Sequence, residues 1–260
     1  MLGLRAFVLR WSSLALLVAA WELAVVTRVA DPQFVPALHD VARALLDLAF
    51  EKDLWEGLAV STMRALVGLA LGTAGGVLIG TLMATSARAN AFLGPLVATT
   101  YSLPKASLVP LFLLWFGVGN TTNILTVFLA TLLPVVVGTY QGVKSVPQVL
   151  VWSARALGTS PLAIVLRVQI PGALLPILTG VRVALGFSWV LTLSAEMIAA
   201  KTGIGKLIFV YGESGAYAYM FAGIGMILAV AYAADRLLVA ITARLLHWND
   251  GIAAHREGTA

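Results

Sequence analysis

The chain has 260 residues, 60% of them hydrophobic and 11% charged. A soluble domain carries about 25% charge, so the composition points to a membrane protein, and the length fits a single domain over 1–260. The absence of cysteine excludes a disulfide framework, a thiol nucleophile and a Cys-based zinc site. The net charge of +5 is small and distributed, which suits the cytoplasmic face of a membrane rather than nucleic acid.

The first apolar run covers 7–29, flanked by Arg5 and Arg10. A cleaved signal peptide is the alternative, but the run is long for one and lacks a clear small-x-small cleavage site. It reads as a retained helix, with Glu22 near its outer end and partly solvated, because a carboxylate inside lipid is costly. Residues 36–53 change character. Val41, Leu45, Leu48 and Ala49 form an apolar stripe among Asp40, Arg43, Asp47 and Glu51. This predicts an amphipathic helix lying along the outer membrane surface.

The second span is predicted over 57–84. Gly68, Gly72, Gly76 and Gly80 recur every four residues, which puts them on one face where another helix can approach closely. Packing within the chain is the first reading of that face, and dimerisation through it the second. The third span, 91–118, is interrupted by Pro95, Pro104 and Pro110. Such breaks persist in lipid only where neighbours or water satisfy the freed carbonyls. Lys105 follows Pro104 near the middle of this span. It is expected to face protein or water, as a candidate contact for an anionic cargo or as an ion-pair partner of Glu196. The fourth span is 121–141.

The segment 142–175 is polar and broken between two apolar runs. It reads as two short helices meeting at a corner. Gly158 ends the first in the left-handed conformation. Ser160 fits the N-cap of the second and Pro161 its first position. Leu162, Val165 and Leu166 share one face, and Pro171 is expected to end the helix. A plain loop between membrane helices is the other reading.

The fifth span, 176–200, carries Arg182, Trp189, Thr192, Ser194 and Glu196, and Thr192, Ser194 and Glu196 join Lys105 as candidate pathway residues. A polar stretch from Lys201 to Tyr219 precedes the sixth span, 221–243, and a short polar tail follows Arg244. Six spans put both termini on one side. That side would carry Arg5, Arg10, Arg88, Lys144, Arg155, Arg167, Arg236, Arg244 and Arg256, against Arg28, Arg43, Lys52, Lys201 and Lys206 on the other. Nine cations against five makes it the cytoplasmic side and brings the 142–175 loop with it.

No catalytic constellation is apparent. His39, His247 and His255 are scattered without metal-ligand spacing, and no metal site is expected. Gly203-Ile204-Gly205-Lys206-Leu207 lacks the first glycine and the Ser/Thr of a phosphate-binding loop and reads as a surface turn. A motor for active transport must therefore come from another polypeptide.

Several stretches resemble the ABC-importer permeases that carry an EAA loop. Trp152, Ser153, Ala154, Gly158 and Gln169-Ile170-Pro171 match that loop, with Trp152 at the position of the family's usual glutamate, and Leu157, Ser160 and Pro161 join them as candidate residues of an ATPase-coupling loop. The runs from Leu114 to Gly119, from Gly142 to Val146, from Thr179 to Gly186 and from Ala195 to Ile198 are similar to the nitrate/sulfonate/taurine branch. The resemblance covers about 55–248. It implies a MetI-like all-α fold with about six transmembrane helices, a cell-membrane location, and no enzymatic activity of the chain's own. It implies two ATPase subunits that hold ATP and magnesium, a second permease copy (typically a homodimer), and an extracytoplasmic substrate-binding protein. The cargo implied is a small anion such as a sulfonate, taurine or nitrate. The alternatives are an importer of the same branch for another small organic solute, or a self-sufficient secondary transporter or channel, for which no internal repeat is evident.

Overall fold

The computed structural model describes residues 2–247, with side chains described from Ser12 onward. His255, Arg256 and most of the polar tail lie outside the described residues. In chain order the helices are α1 (Leu2–Val26), α2 (Leu38–Ala49), α3 (Lys52–Thr85), α4 (Ala87–Tyr101), a 3-10 turn (Lys105–Leu108), α5 (Val109–Phe116), α6 (Asn120–Ser145) and α7 (Gln148–Ala156). Then come α8 (Pro161–Ile164), a π-helical turn (Val165–Gln169), α9 (Ile170–Gly172), α10 (Leu174–Ala199), α11 (Ile204–Glu213) and α12 (Tyr217–Leu245). Among the described residues, α3, α6, α10 and α12 are long and apolar enough to cross a membrane. The predicted spans correspond to α1, α3, the α4–α5 pair, α6, α10 and α12.

The interruption expected in the third span falls at one of its three prolines, between α4 and α5. These two limbs are bent 93° to each other at the Ser102–Pro104 break. Pro104 has no N–H to donate and adopts an extended backbone, φ −72° and ψ 97°, so helix cannot run through it. Pro95, by contrast, sits inside an uninterrupted α4, and Pro110 occupies the first turn of α5, where a missing N–H costs nothing.

The centre of the molecule is α6, held between α3 and α10 at very short range. The glycine stripe of α3 lies on α6. A Cβ at Gly68 would stand 2.5 Å from Val127, one at Gly76 2.6 Å from Val135, and one at Gly80 2.7 Å from Thr139. The stripe is thus consumed inside the chain, which overturns its use for dimerisation. On the other side of α6, a Cβ at Gly138 would stand 2.8 Å from the Pro176 carbonyl, and one at Gly180 2.9 Å from the Pro134 carbonyl. Where lipid removes the hydrophobic drive between helices, close backbone approach of this kind supplies the packing energy.

One end of this core is capped by α2 and α11. Ala44 and Leu48 of the amphipathic α2 are buried with Leu54, Leu58, Ile204 and Ile208. Glu22 is partly solvated, and its carboxylate accepts the Leu38 N–H at the start of α2 over 3.1 Å. The opposite end carries α7, α8 and α9. There Val143, Val146, Ala173 and Ile177 form a second apolar cluster. The helical arm does not stop at Pro171 as expected. The π-helical turn before it shifts the hydrogen-bond register, so the proline falls in the first turn of α9, and Ala173 N–H reaches Gln169 O at 2.9 Å.

Candidate functional site

The 93° break at Pro104 opens a cavity of about 340 Å³ between the break, α6 and α10. Lys105, Ser194 and Tyr101 are its polar members, and Leu133, Pro134, Phe187 and Val190 supply apolar walls. Lys105 is half-buried, its ammonium donating to Tyr101 O at 2.6 Å and lying 5.3 Å from the Tyr101 ring centroid. One cation with two further N–H donors therefore stands at a cavity mouth. The Ser194 hydroxyl donates to Val190 O at 2.8 Å and keeps its lone pairs for a donor in the cavity. A second depression of about 440 Å³ continues from Tyr101 and Pro134 along Gly138, Gln141, Thr179 and Gly180. The α6–α10 seam thus presents a groove along one face, polar at intervals and apolar between.

The other two candidate pathway residues are elsewhere. Thr192 is fully buried and spends its hydroxyl on Ser188 O at 2.7 Å. Glu196 is the acceptor at the centre of a buried clasp, so the ion pair with Lys105 that the sequence offered as one alternative does not form. Arg64 Nη1 donates to Glu196 Oε1 at 2.7 Å, Ser61 Oγ to Oε2 at 2.7 Å, and Gly205 N–H to Oε2 at 3.0 Å. Arg64 also donates from Nη1 to Thr202 O at 2.7 Å and from Nε to Asn120 Oδ1 at 2.8 Å. Ser61 Oγ in turn accepts the Ile204 N–H at 2.9 Å. Five segments meet on one ion pair: α3, the start of α6, α10, the 200–203 turn and the start of α11. A buried carboxylate with three donors and a guanidinium with four acceptor contacts have little reason to leave. The clasp fixes the end of the bundle that carries α2 and α11.

Arg64 is not among the candidate residues that the sequence offers. The signal was nonetheless present. An arginine in one apolar span and a glutamate in another are each expensive alone, and pairing is the usual resolution.

At the other end, α7 and α8 form the expected corner. Gly158 sits at φ +77° and nothing lies within 4 Å of where its Cβ would be. Its N–H donates to Arg155 O at 2.9 Å, and Thr159 N–H donates to Ala154 O at 3.1 Å. This paired return closes a helix through a left-handed residue, a conformation that glycine adopts without strain. Ser160 Oγ accepts the Ala163 N–H at 3.4 Å and Pro161 opens the next helix. Around the corner Val149, Trp152, Leu157, Leu162 and Leu166 are all exposed, with Ser153 beside them. Val151 and Ile164 face inward and anchor the arm.

Residues 76–247, carrying the α6–α10 core, the cavity and the arm, match the model of the binding-protein-dependent transport system inner membrane component family. The chain belongs to this family. It is 34% identical over 253 residues to the taurine transport system permease protein TauC of Escherichia coli (strain K12), covering 95% of this chain and 92% of that one. It is 31% identical over 238 residues to the aliphatic sulfonates transport permease protein SsuC, described as putative, of the same strain, covering 90% and 89%. The fold is similar to that of a chain in the inward-facing MetNI methionine ABC transporter, with a TM-score of 0.60 at 19% identity over 75% of this chain and 94% of that one. Membership places the permease among multi-pass inner-membrane components and sets aside the self-sufficient transporter or channel.

Proposed function

We propose that this permease forms the translocation pathway of an ATP-driven ABC importer for a small organic or inorganic anion of the sulfonate or taurine type. The observation that carries the coupling half of this reading is the α7–α8 arm. It exposes a cluster of apolar side chains around a rigid left-handed corner, at one end of the α6–α10 core. Exposed leucine and tryptophan on a short helix pair suit a groove in a partner, and an ATPase is the partner that an importer requires. The arm is joined to the helices that wall the cavity at both of its ends, where Val143 and Val146 at the end of α6 pack with Ile170 of α9, Ala173 and Ile177 of α10. Movement of the arm by two ATPase subunits, with ATP and magnesium bound to them, would therefore tilt α6 and α10 together.

The anionic cargo is supported by the taurine and sulfonate relatives and by Lys105, the cation of the cavity. The remaining parts of the reading are a second copy of this chain, an extracytoplasmic binding protein seated over α2 and α11, and cytoplasmic termini. Charge asymmetry supports that orientation, since the arm end carries the larger share of arginine and lysine.

Leu157→Asp tests the coupling half. Leu157 is 84% exposed, so an aspartate there leaves the fold intact and places a charge in the expected apolar contact. Co-purification with the ATPase and transport should both collapse while membrane insertion stays normal. Wild-type co-purification and transport by this variant would overturn the docking role of the arm.

A further inference from the structure

We propose that the groove between α10 and α12 is a binding site for one anionic phospholipid, with its phosphate on Arg182 and Arg236 and an acyl chain along the groove. This goes beyond the transport reading and does not depend on which way the chain sits in the membrane. The groove holds about 590 Å³ and is walled by apolar groups, among them Val183, Leu185, Gly186 and Ala231, with Arg182 and Asp235 at one end. Beyond Ile227, α12 keeps only partly buried contacts with the core, through Val230, Ala231, Ala234 and Leu238, while Leu228, Tyr232 and Leu237 are exposed.

The charge at the end of the groove is unbalanced. Arg182 Nε and Nη2 donate to Asp235 Oδ1 and Oδ2 at 2.6 and 2.9 Å, and Arg236 Nη2 donates to the same Oδ2 at 2.9 Å. Two guanidiniums share one carboxylate, leaving a surplus positive charge. Both arginine side chains are about half exposed, and each guanidinium retains N–H donors that Asp235 does not use. Arg236 is further held 5.4 Å from the Tyr232 ring centroid.

Depth selects the ligand. At 1.5 Å per residue, Asp235 lies about 27 Å along α12 from Tyr217, and Arg182 about 26 Å along α10 from Ala199, close to the roughly 30 Å of a hydrocarbon core. Tyr217 and Tyr219 touch Phe34 and Asp47, so they mark the level of the amphipathic α2. The arginine pair therefore stands at the opposite headgroup level, where a basic pocket between spanning helices suits a lipid phosphate. A second copy of the chain fits less well, since a twofold contact would bring two such cationic clusters into one interface.

The test uses the purified full-length chain in nanodiscs of phosphatidylcholine with a minor share of diazirine-bearing phosphatidylglycerol. Photolabelling should fall on the 179–190 and 228–238 peptides and exceed that from the matching phosphatidylcholine probe. Arg236→Gln keeps the bidentate Arg182–Asp235 pair and should cut the labelling about ten-fold, the loss of one charge-assisted contact. Arg236→Lys should retain most of it. Gly186→Leu tests the acyl half independently: nothing lies within 4 Å of a Cβ at that site, so the leucine fills the groove without a clash and should also depress labelling. Equal labelling by the two lipids, labelling unchanged in both Arg236→Gln and Gly186→Leu, or a disulfide between two chains each carrying Val183→Cys would overturn the proposal.

Discussion

Glu196 has no exposed side-chain surface, and Arg64 only 3%, so theirs is the most buried ion pair among the described residues. Removing one member strands the other among apolar helices, a loss of about 3–5 kcal/mol in soluble proteins. Removing both leaves no orphaned charge. Glu196→Leu and Arg64→Met should each sharply lower thermal stability in detergent, and the double variant should lose clearly less than their sum. Additive losses in a thermal melt would mean that the two residues stabilise the fold independently. The pair was only half legible in the sequence: Glu196 stood out for its charge, but 132 residues separate it from its partner, and only the fold brings them together. Lys105 is the opposite case. Its neighbourhood to Pro104 was plain in the sequence, whereas its bond to Tyr101 O follows from how the chain turns there. A cargo role for its charge predicts that Lys105→Met loses transport of an anionic solute while Lys105→Arg keeps it. Normal uptake by the methionine variant would remove the role. No rescue should come from a second change at Glu196, whose carboxylate is already taken by Arg64.

At the scale of elements, the spacing of glycines carried real structural information and the hydropathy of 91–118 did not. A four-residue repeat defines a helix face whatever that face meets, so the close approach of α3 to a neighbour could be read directly. A bend of 93° leaves no trace in mean hydropathy, because both limbs are apolar; only the proline marked it. Pro171 shows the converse limit. A proline normally stops a helix, but a preceding π-helical turn lets the arm continue through it, and that turn has no sequence signature. The α3–α6 contact yields a controlled comparison. A Cβ at Gly76 would stand 2.6 Å from Val135, whereas one at Gly186 meets nothing within 4 Å. Gly76→Ala should cost about 1–3 kcal/mol through overpacking, and Val135→Ala in the same chain should restore part of it. Gly186→Ala, in a helix interior with free space, should be neutral or mildly stabilising. Thermal melts that rank the two alanine variants the other way would contradict the close packing of α3 on α6.

For the whole molecule, the two ends of the bundle differ in both build and charge, and that difference supports the proposed orientation in the membrane. One end is closed by the amphipathic α2, by α11 and by the Glu196 clasp, and it gathers Asp31, Asp40, Asp47, Glu51, Asp53 and Glu56. The other end extends the α7–α8 arm and holds Arg88, Lys144, Arg155 and Arg167. Basic residues near span ends are retained on the cytoplasmic side, while acidic residues weigh little in that selection. In the proposed orientation the arm faces the cytoplasm, where ATP is found, and α2 faces out, where a binding protein would deliver its load. The chain contains no cysteine, so a single introduced thiol can be labelled without background. Arg43→Cys on α2 and Leu157→Cys on the arm replace side chains that are 76% and 84% exposed, and both thiols should be reactive in the folded protein. A membrane-impermeant maleimide added to intact cells with a permeable outer envelope should label position 43. Position 157 should react only after the inner membrane is opened, and it should become protected again when the ATPase is bound. Labelling of both positions from the same side would break the proposed topology, and with it the assignment of the arm to an ATPase. Labelling of position 157 that the ATPase leaves untouched would preserve the topology and remove the docking surface alone.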